Sequence, residues 1–311
     1  DLKSAAGKES VRNLISRADV VIESFSPGVA ARLGIGYEQV CAYRPDIIYC
    51  SVSGFGQSGR LRDRPGFDML LQAFCGHMSI TGEPGRPSVR NGPSSIDYLT
   101  GAHAAFGIML ALRHRERTGQ GQAVDACLFD SAVYLVGNHL TECLVTGRAP
   151  GKMGSDFALL APYGVFQARD REFYIGISSD TMWERFCQAA GMPELAGDPR
   201  FLRKADRLRN RPVMQTELRA MFAQRNAQEW IDIAVKLGIP NSLVRDLAEV
   251  GKDEHLADRG LLVDSGIEGG RTVGTPFKMS LTPGAFRKRP PALDEDRGRV
   301  LAGEGADSAK R

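Results

Sequence analysis

The sequence predicts an α/β protein with a parallel sheet in a large domain, joined to a smaller α+β domain. Three observations support this prediction. Compact apolar runs alternate with helical segments in the first half of the chain, and strands that alternate with helices form parallel sheets. The pattern changes after about residue 146, where a hairpin is followed by several helices. The length of 311 residues suits two domains, because single cores stop growing near this size.

Strands and helices of the large domain can be assigned in order along residues 1–145. Apolar runs indicate buried strands at 19–23, 46–52 and 123–128. Helical spacing of apolar residues indicates helices at 8–17, 29–33, 37–43, 66–78, 98–117 and 131–144. Flexible loops follow the first two strands, at 24–28 and 53–59. Ligands of Rossmann-like parallel sheets collect at such loops, beyond the carboxyl ends of the strands, so we expect a binding site there.

A linker and a second domain follow. Glycine, proline and lysine gather beyond residue 146, which predicts a linker at 146–160. A hairpin and several helices then form the small α+β domain over 161–253. From about residue 254 the chain is strand and loop again. We therefore predict that 254–311 returns to the large domain and ends in a tail, so that the small domain is an insertion.

Composition and charge exclude several classes of protein. The formal net charge is only +3, which gives no reason to expect a nucleic-acid partner. The basic run at 200–211 is predicted to be a solvated connecting segment. No stretch approaches the roughly 18 to 20 apolar residues of a membrane span. The six cysteines form no CxxC pair, so we expect no metal site, and free thiols in a reducing cytoplasm.

Several well-known catalytic motifs are absent from the sequence. The loop 53–59 matches neither the GxGxxG nor the Walker pattern of nucleotide-binding proteins. A G-x-S-x-G elbow and an HExxH helix are also missing, which weakens hydrolase and metalloprotease interpretations. The lone histidines His77 and His103 are more typical of structural positions than of catalytic bases.

Asp97 is the residue that the sequence singles out, because it comes directly before the longest predicted helix. One interpretation is structural, since aspartate is a favoured N-cap. The other is catalytic. The N–H groups and dipole at a helix start lower the pKa of a carboxyl group, and an ionised carboxylate can attack an activated acyl group as a nucleophile. Gly101, one turn further, leaves space beside Asp97. The residues alone leave both interpretations open.

Five stretches of the chain carry a resemblance to a known family. They are 18–28 with Arg32-Leu33-Gly34, 51–59, 64–73, 115–122, and a set in the second domain that includes 198–201 and 210–211. Together they resemble the class III CoA-transferases, the family of formyl-CoA transferase and carnitine CoA-transferase. The resemblance spans nearly the whole chain. It is specific because the five stretches occur together, and no single stretch would identify the family.

The resemblance implies an activity and a set of site residues. Asp97 matches the catalytic aspartate, which attacks an acyl-CoA thioester to give a mixed anhydride and then an enzyme–CoA thioester. An acceptor acid finally takes the CoA. The residues that match the CoA site are Ser24, Phe25, Ser26, Arg32, Arg64 and Asp68. The implied substrates are therefore an acyl-CoA and a carboxylic acid, without a metal or redox cofactor.

The family also implies an assembly and an alternative activity. Its members form interlocked homodimers, with the active site between large and small domains. Family chains begin with a strand and helix before a Leu-Asp-Leu-Lys segment, so the chain, which begins Asp1-Leu2-Lys3, is expected to be N-terminally incomplete. The α-methylacyl-CoA racemases of the family are the alternative, but their motif has a histidine where this chain has Gly66-Phe67-Asp68. A catalytically inactive acyl-CoA-binding fragment is a third interpretation.

Overall fold

The computed structural model describes residues 1–302, which form two compact units. Of the described residues, the first unit contains Asp1–Gly154 and residues 298–302, and the second contains Ser155–Arg297. The boundary at residue 154 lies within the predicted linker. Residues 254–297 belong to the second unit, whereas the sequence pattern predicts their return to the first. The tail predicted at the end of the chain, beyond residue 302, lies outside the described residues.

The first unit consists of a three-stranded sheet and the helices around it. Its helices and strands up to residue 146 are α1 (Ala5–Ile15), β1 (Val20–Glu23), α2 (Val29–Arg32), α3 (Tyr37–Cys41), β2 (Ile48–Ser53), α4 (Asp68–Phe74), α5 (His77–Ile80), α6 (Ser95–Thr118), β3 (Gln122–Cys127), α7 (Leu128–Leu135) and α8 (Gly137–Thr146). The strand order is β1-β2-β3 and both pairings are parallel. The predicted parallel α/β fold is therefore confirmed.

Alternate residues of β2 build the two layers of the core, because successive side chains of a strand point to opposite faces. One layer contains Ile48, Cys50, Ala104, Ile108 and Ala111. The opposite layer contains Ile15, Val40, Ile47 and Tyr49. Helix α6 covers the first face, while α1 and α3 cover the second. The sheet is thus enclosed by helices, which leaves the carboxyl ends of its strands as the place for a ligand.

Two long helices predicted in this unit are interrupted. The segment predicted as one helix at 66–78 forms α4 and α5, separated by Gly76 with φ of 87°. A left-handed residue cannot continue a right-handed helix. Similarly, the segment predicted at 131–144 divides into α7 and α8 around Val136.

Helix α6 begins at Ser95, three residues earlier than predicted, and leaves several of its apolar side chains exposed. Its buried residues are Ile96, Thr100, Ala104, Ile108 and Ala111. The apolar residues Phe106, Met109 and Leu110 are 65%, 62% and 56% exposed. The helix is apolar on most sides, so helical spacing alone does not distinguish the face that packs on the sheet from the face that is left open.

By length and composition, α6 is also the one described helix that could cross a membrane, with a hydropathy of 1.2 over its best 18-residue window. The apolar runs of the sequence had given no reason to expect such a helix. A core helix of a folded domain passes the same test, and α6 packs on β2 and β3. The helix therefore gives only weak evidence about membranes.

The second unit surrounds an antiparallel sheet with helices. Its elements are β4 (Tyr163–Gln167), β5 (Glu172–Gly176), α9 (Asp180–Ala190), α10 (Pro193–Gly197), α11 (Lys204–Arg209), α12 (Arg211–Phe222), α13 (Ala227–Lys236), β6 (Asn241–Leu243), α14 (Leu247–Val250), α15 (Glu254–Asp258), β7 (Leu262–Asp264) and β8 (Arg271–Val273). The last described helix, α16 (Arg297–Ala302), begins at the final residue of this unit and otherwise belongs to the first unit. Strand β5 pairs with both β4 and β6. Aromatic rings fill the core, with Phe222 against Phe166, Phe173 and Trp230.

The basic run at 200–211 is only partly solvated, which corrects the prediction made for it. Arg207 has no exposed surface. Its guanidinium donates to the carbonyl oxygen of Ala161 at 2.8 Å and to Asp180 Oδ1 at 2.9 Å. An arginine with all its groups paired can be buried, and a charge count along the sequence does not identify such a residue.

Candidate active site

A cavity of about 470 Å³ opens at the carboxyl end of the parallel sheet. Its wall comes from the loop after β1, the end of β2, the loop before α4, the first two turns of α6 and the start of α7. The lining residues are 24–27, 52–54, 64–67, Asp97, Thr100, Gly101 and Leu128. This is the region where the order of strands and loops in the sequence predicts a binding site.

Most of the predicted site residues meet at this cavity. Those that line it are Ser24, Phe25, Ser26, Arg64 and Asp97. Arg32 is exposed on α2, where its guanidinium lies beside Gly28 and outside the cavity wall. Asp68 is buried at the first residue of α4 and does not line the cavity either. The structure thus separates the seven predicted residues into five in the wall and two nearby.

Asp97 is the third residue of α6, and so it lies inside the first helical turn and not at the cap. Ser94 occupies the cap position, but its side chain makes no capping hydrogen bond. The carboxylate of Asp68 does this instead. Its Oδ2 accepts from the backbone N–H of Ile96 at 2.8 Å and, more weakly, from that of Asp97 at 3.4 Å. The helix start is therefore satisfied from α4, which leaves the Asp97 side chain to face the cavity.

The pKa of Asp97 is raised, where the helix-dipole argument predicts that it is lowered. Partial desolvation of the Asp97 carboxyl is the larger cause, and the nearby Asp68 charge is the second. The N–H groups expected to stabilise the ionised form are already engaged by Asp68. A carboxylate with a raised pKa is a stronger base and a better nucleophile than an ordinary one.

Arg64 supplies the positive charge of the cavity wall. Its guanidinium carbon lies 5.0 Å from the ring centre of Phe74 and 5.6 Å from that of Phe55, at cation–π distance. Both rings pack with Phe129. Within residues 1–302 no carboxylate forms an ion pair with Arg64. Its charge is therefore held in place by rings and stays available to an anion.

Two glycines of the cavity wall, Gly54 and Gly66, lie against each other, and the sequence did not predict this contact. A Cβ on Gly54 would lie 2.7 Å from the Cα and nitrogen of Gly66. These glycines join the end of β2 to the loop that carries Arg64, and only residues without a side chain permit this approach. They are 12 positions apart, so no local pattern reveals the contact.

The described histidines lie away from the cavity wall. His77 is buried, with Nε2 at 2.9 Å from the carbonyl oxygen of Ala132. His103 Nδ1 is 3.0 Å from Ser131 Oγ. Neither is among the lining residues. A pair of bases for proton exchange at an α-carbon would need such a group within hydrogen-bond reach of the substrate, so the geometry disfavours the racemase alternative.

The sequence profile of CoA-transferase family III matches residues 1–297, nearly the whole chain. The chain belongs to this family. Among the CoA-transferases that it resembles is the acetyl-CoA:oxalate CoA-transferase of Acetobacter aceti, 37% identical over 90% of this chain and 72% of that protein. Another is the succinyl-CoA:mesaconate CoA-transferase of Haloarcula hispanica, 34% identical over 97% of this chain and 77% of that protein. The predicted enzyme class, a CoA-transferase, is confirmed.

The fold assignment agrees with a solved structure of the family. A CAIB/BAIF family protein from Brucella suis superposes with a TM-score of 0.88 at 32% sequence identity. The match covers 98% of this chain and 80% of that one. As a family III CoA-transferase, the protein uses an acyl-CoA as substrate. No group of three or more His, Cys, Asp or Glu side chains that could hold a metal ion occurs in residues 1–302.

Proposed function

We propose that this CoA-transferase moves CoA from an acyl-CoA to a carboxylic acid through a thioester on Asp97. The observation that carries the proposal is the position of Asp97. Its carboxyl opens onto the cavity from the first turn of α6, and its pKa is raised by desolvation and by Asp68. An ionised carboxylate in this setting is a competent nucleophile toward a thioester.

The proposed reaction proceeds in two exchanges. An oxygen of Asp97 attacks the thioester carbonyl and the C–S bond breaks. CoA thiolate departs, and an acyl–aspartyl anhydride is formed. The thiolate then attacks the Asp97 side of the anhydride, which breaks that C–O bond and releases the donor acid as its carboxylate. The acceptor carboxylate attacks the carbonyl of the resulting Asp97 thioester, the C–S bond breaks, and CoA thiolate departs from an anhydride between the acceptor and Asp97. CoA thiolate finally attacks the acceptor's acyl carbon and restores the Asp97 carboxylate.

The wall residues have separate roles in this proposal. Ser24, Phe25 and Ser26 form the loop against which CoA lies, and the charge of Arg64 steers the negatively charged CoA toward the cavity. A volume of about 470 Å³ accommodates only the thioester end of a CoA molecule, so its phosphates extend outward. Arg32, exposed on the helix that follows the same loop, is placed to meet them. Asp68 acts at the start of α6, where its carboxylate accepts hydrogen bonds from the backbone N–H groups of Ile96 and Asp97.

The acids are proposed to be small, and at least one of them a dicarboxylate. The two relatives named above act on oxalate and mesaconate by name. Arg64 is the cationic side chain among the lining residues, and a guanidinium pairs with a second carboxylate in bidentate geometry. A preference for dicarboxylates over monocarboxylates of equal length supports this choice, and equal rates contradict it.

The proposed thioester predicts a covalent adduct that depends on Asp97. Incubation of the wild type with a short acyl-CoA, followed by intact-mass measurement, should reveal a mass increase equal to CoA less one water. Hydroxylamine should remove it, because it cleaves thioesters. Asp97→Asn is expected to show no adduct. An adduct of the same mass on Asp97→Asn, or acid exchange by the wild type without any adduct, contradicts the proposed mechanism.

We also propose that two copies of the chain associate through α6 and α8. The exposed apolar residues of these helices include Phe106, Met109, Leu144 and Val145. Large exposed apolar patches mark interaction surfaces, and the family resemblance implies an interlocked homodimer. Sedimentation velocity at micromolar concentration should therefore give a dimer, and a monomer as the main species contradicts it.

A further inference from the structure

A chain of hydrogen bonds connects the first turn of α6 to side chains that lie outside the cavity. It begins at Asp68, which is 7% exposed. Asp68 Oδ2 accepts from the first turn of α6, as described above, and Asp68 Oδ1 accepts from Gln72 Nε2 at 2.6 Å. Both carboxylate oxygens are therefore occupied, one by the helix that carries Asp97 and one by a glutamine on α4.

Gln72 is the centre of this network. It is 1% exposed, and all of its polar atoms are used. Nε2 donates to Asn91 Oδ1 at 2.8 Å as well as to Asp68, and Oε1 accepts from the backbone N–H of Asn91 at 3.0 Å. The side chain of Asn91 then donates to Ser95 Oγ at 2.7 Å. Since Ser95 is the first residue of α6, the network returns to the helix at which it began.

The network does more than a local cap would. A serine at position 94 could satisfy the helix start by itself, yet its side chain makes no such bond. The buried carboxylate of Asp68 accepts the hydrogen bonds of the helix start instead. Burial of this charge is unfavourable unless donors surround it. Gln72 supplies one donor and itself depends on Asn91. The first turn of α6 is thus fixed from two directions, by α4 and by the loop at residue 91.

We propose that Gln72 and Asn91 are positioning residues that hold Asp97 in its reactive orientation through Asp68 and Ser95. This inference rests on the proposed nucleophilic role of Asp97. Neither side chain is part of the wall of the cavity onto which Asp97 opens. Their effect is on the helix turn from which the Asp97 carboxyl extends, and small displacements of a reacting group have large effects on rate.

The test compares Gln72→Met with the wild type. Methionine has a similar volume but none of the polar atoms, so Asp68 loses its side-chain donor. We expect the rate of adduct formation at saturating acyl-CoA to fall about ten- to a hundredfold, while the KM for acyl-CoA changes less than about twofold because the CoA-facing loop is intact. The final amount of adduct should equal that of the wild type, since every folded molecule retains Asp97.

Hydrogen exchange supplies a second measurement that needs no substrate. The peptide covering residues 95–101 should exchange faster in Gln72→Met, without a similar change elsewhere in the first unit. Asn91→Ala, a milder change in a half-buried loop, should shift both measurements in the same direction and keeps the test valid if Gln72→Met does not fold.

Gln39→Met is the matched control. It removes a glutamine that caps α3 in the same unit and should leave the adduct rate unchanged.

The outcomes separate the two proposals. If the wild type forms the adduct and both variants form it at the wild-type rate, the positioning role is overturned. The variants could instead form less adduct only because less of the protein is folded, with an unchanged rate for each folded molecule. In that case the network is merely structural and the inference also fails. If the wild type forms no adduct on Asp97, the proposed function itself fails and the positioning role with it.

Discussion

Replacement of Asp97 by asparagine is expected to lower the rate of CoA transfer at least about a thousandfold, because loss of a covalent nucleophile removes the whole pathway. The KM for acyl-CoA should change little, since Ser24, Phe25, Ser26 and Arg64 remain in the cavity wall. Steady-state kinetics of acid exchange measures both quantities. A variant that retains more than about a tenth of the activity would exclude Asp97 as the nucleophile.

The same substitution should make the protein more stable at neutral pH. The pKa of Asp97 is raised in the folded state, so folding favours its protonated form. The stability that Asp97 contributes is full below the unfolded pKa of about 3.9 and is lost as pH rises through the folded value. Asparagine cannot ionise and avoids this loss. Thermal unfolding should therefore give a higher Tm for Asp97→Asn at pH 7, with the difference shrinking toward pH 4.

Asp130 provides a matched control for both effects. It is the third residue of α7, as Asp97 is of α6, and it is also exposed. It does not line the cavity. Asp130→Asn should keep its activity, and its stability should decrease by about 0.3–1 kcal/mol, because a negative charge near a helix start is normally stabilising. If the stability increases in Asp97→Asn and decreases in Asp130→Asn, the effect at Asp97 comes from its own surroundings, which include Asp68, and not from a general property of helix starts.

Substitution of Gly54 by alanine is expected to have the second largest effect. The added Cβ would lie 2.7 Å from the backbone of Gly66, so β2 and the loop that carries Arg64 must move apart. Such overpacking costs about 1–3 kcal/mol, and displacement of the wall should lower kcat/KM about a hundredfold. Denaturant unfolding and kinetics measure the two losses.

The pair can be tested by a double-mutant cycle. Gly66→Ala meets the same contact from the other side, at 2.6 Å from the Cα of Gly54, so the two losses should not add. Gly137→Ala is the control, because a Cβ there meets nothing within 4 Å. If Gly54→Ala behaves like the control, the close approach of the two backbones has no influence on the site.

The sequence predicted the sheet and the place of the cavity because both follow from local patterns. Buried runs such as 46–52 alternate with helices, and this alternation determines parallel strands and hence a shared carboxyl edge. Candidate residues on loops after strands, such as Ser24 and Phe25, are brought to that edge by the same rule. The activity came from the family resemblance, because no motif in the residues alone specifies CoA chemistry.

The electrostatic environment of Asp97 could not be predicted in this way. Its pKa is raised by desolvation and by the charge of Asp68, and Asp68 is 29 positions earlier and reaches α6 only through the fold. The contacts of Gln72 with Asn91 and of Gly54 with Gly66 are likewise between distant positions. The second unit also ends at Arg297 and not at the predicted residue 253, because a change of pattern near residue 254 does not reveal which unit a segment packs against.

The aromatic support of Arg64 has a consequence for how fast a ligand arrives. Because Phe55 and Phe74 hold the guanidinium, its charge is not cancelled at the mouth of the cavity. An uncancelled charge acts on a polyphosphate ligand over a distance of about 10 Å at 0.1 M salt. Encounter with acyl-CoA should thus slow as ionic strength rises, while the bond-forming steps at Asp97, which follow binding, should depend little on salt.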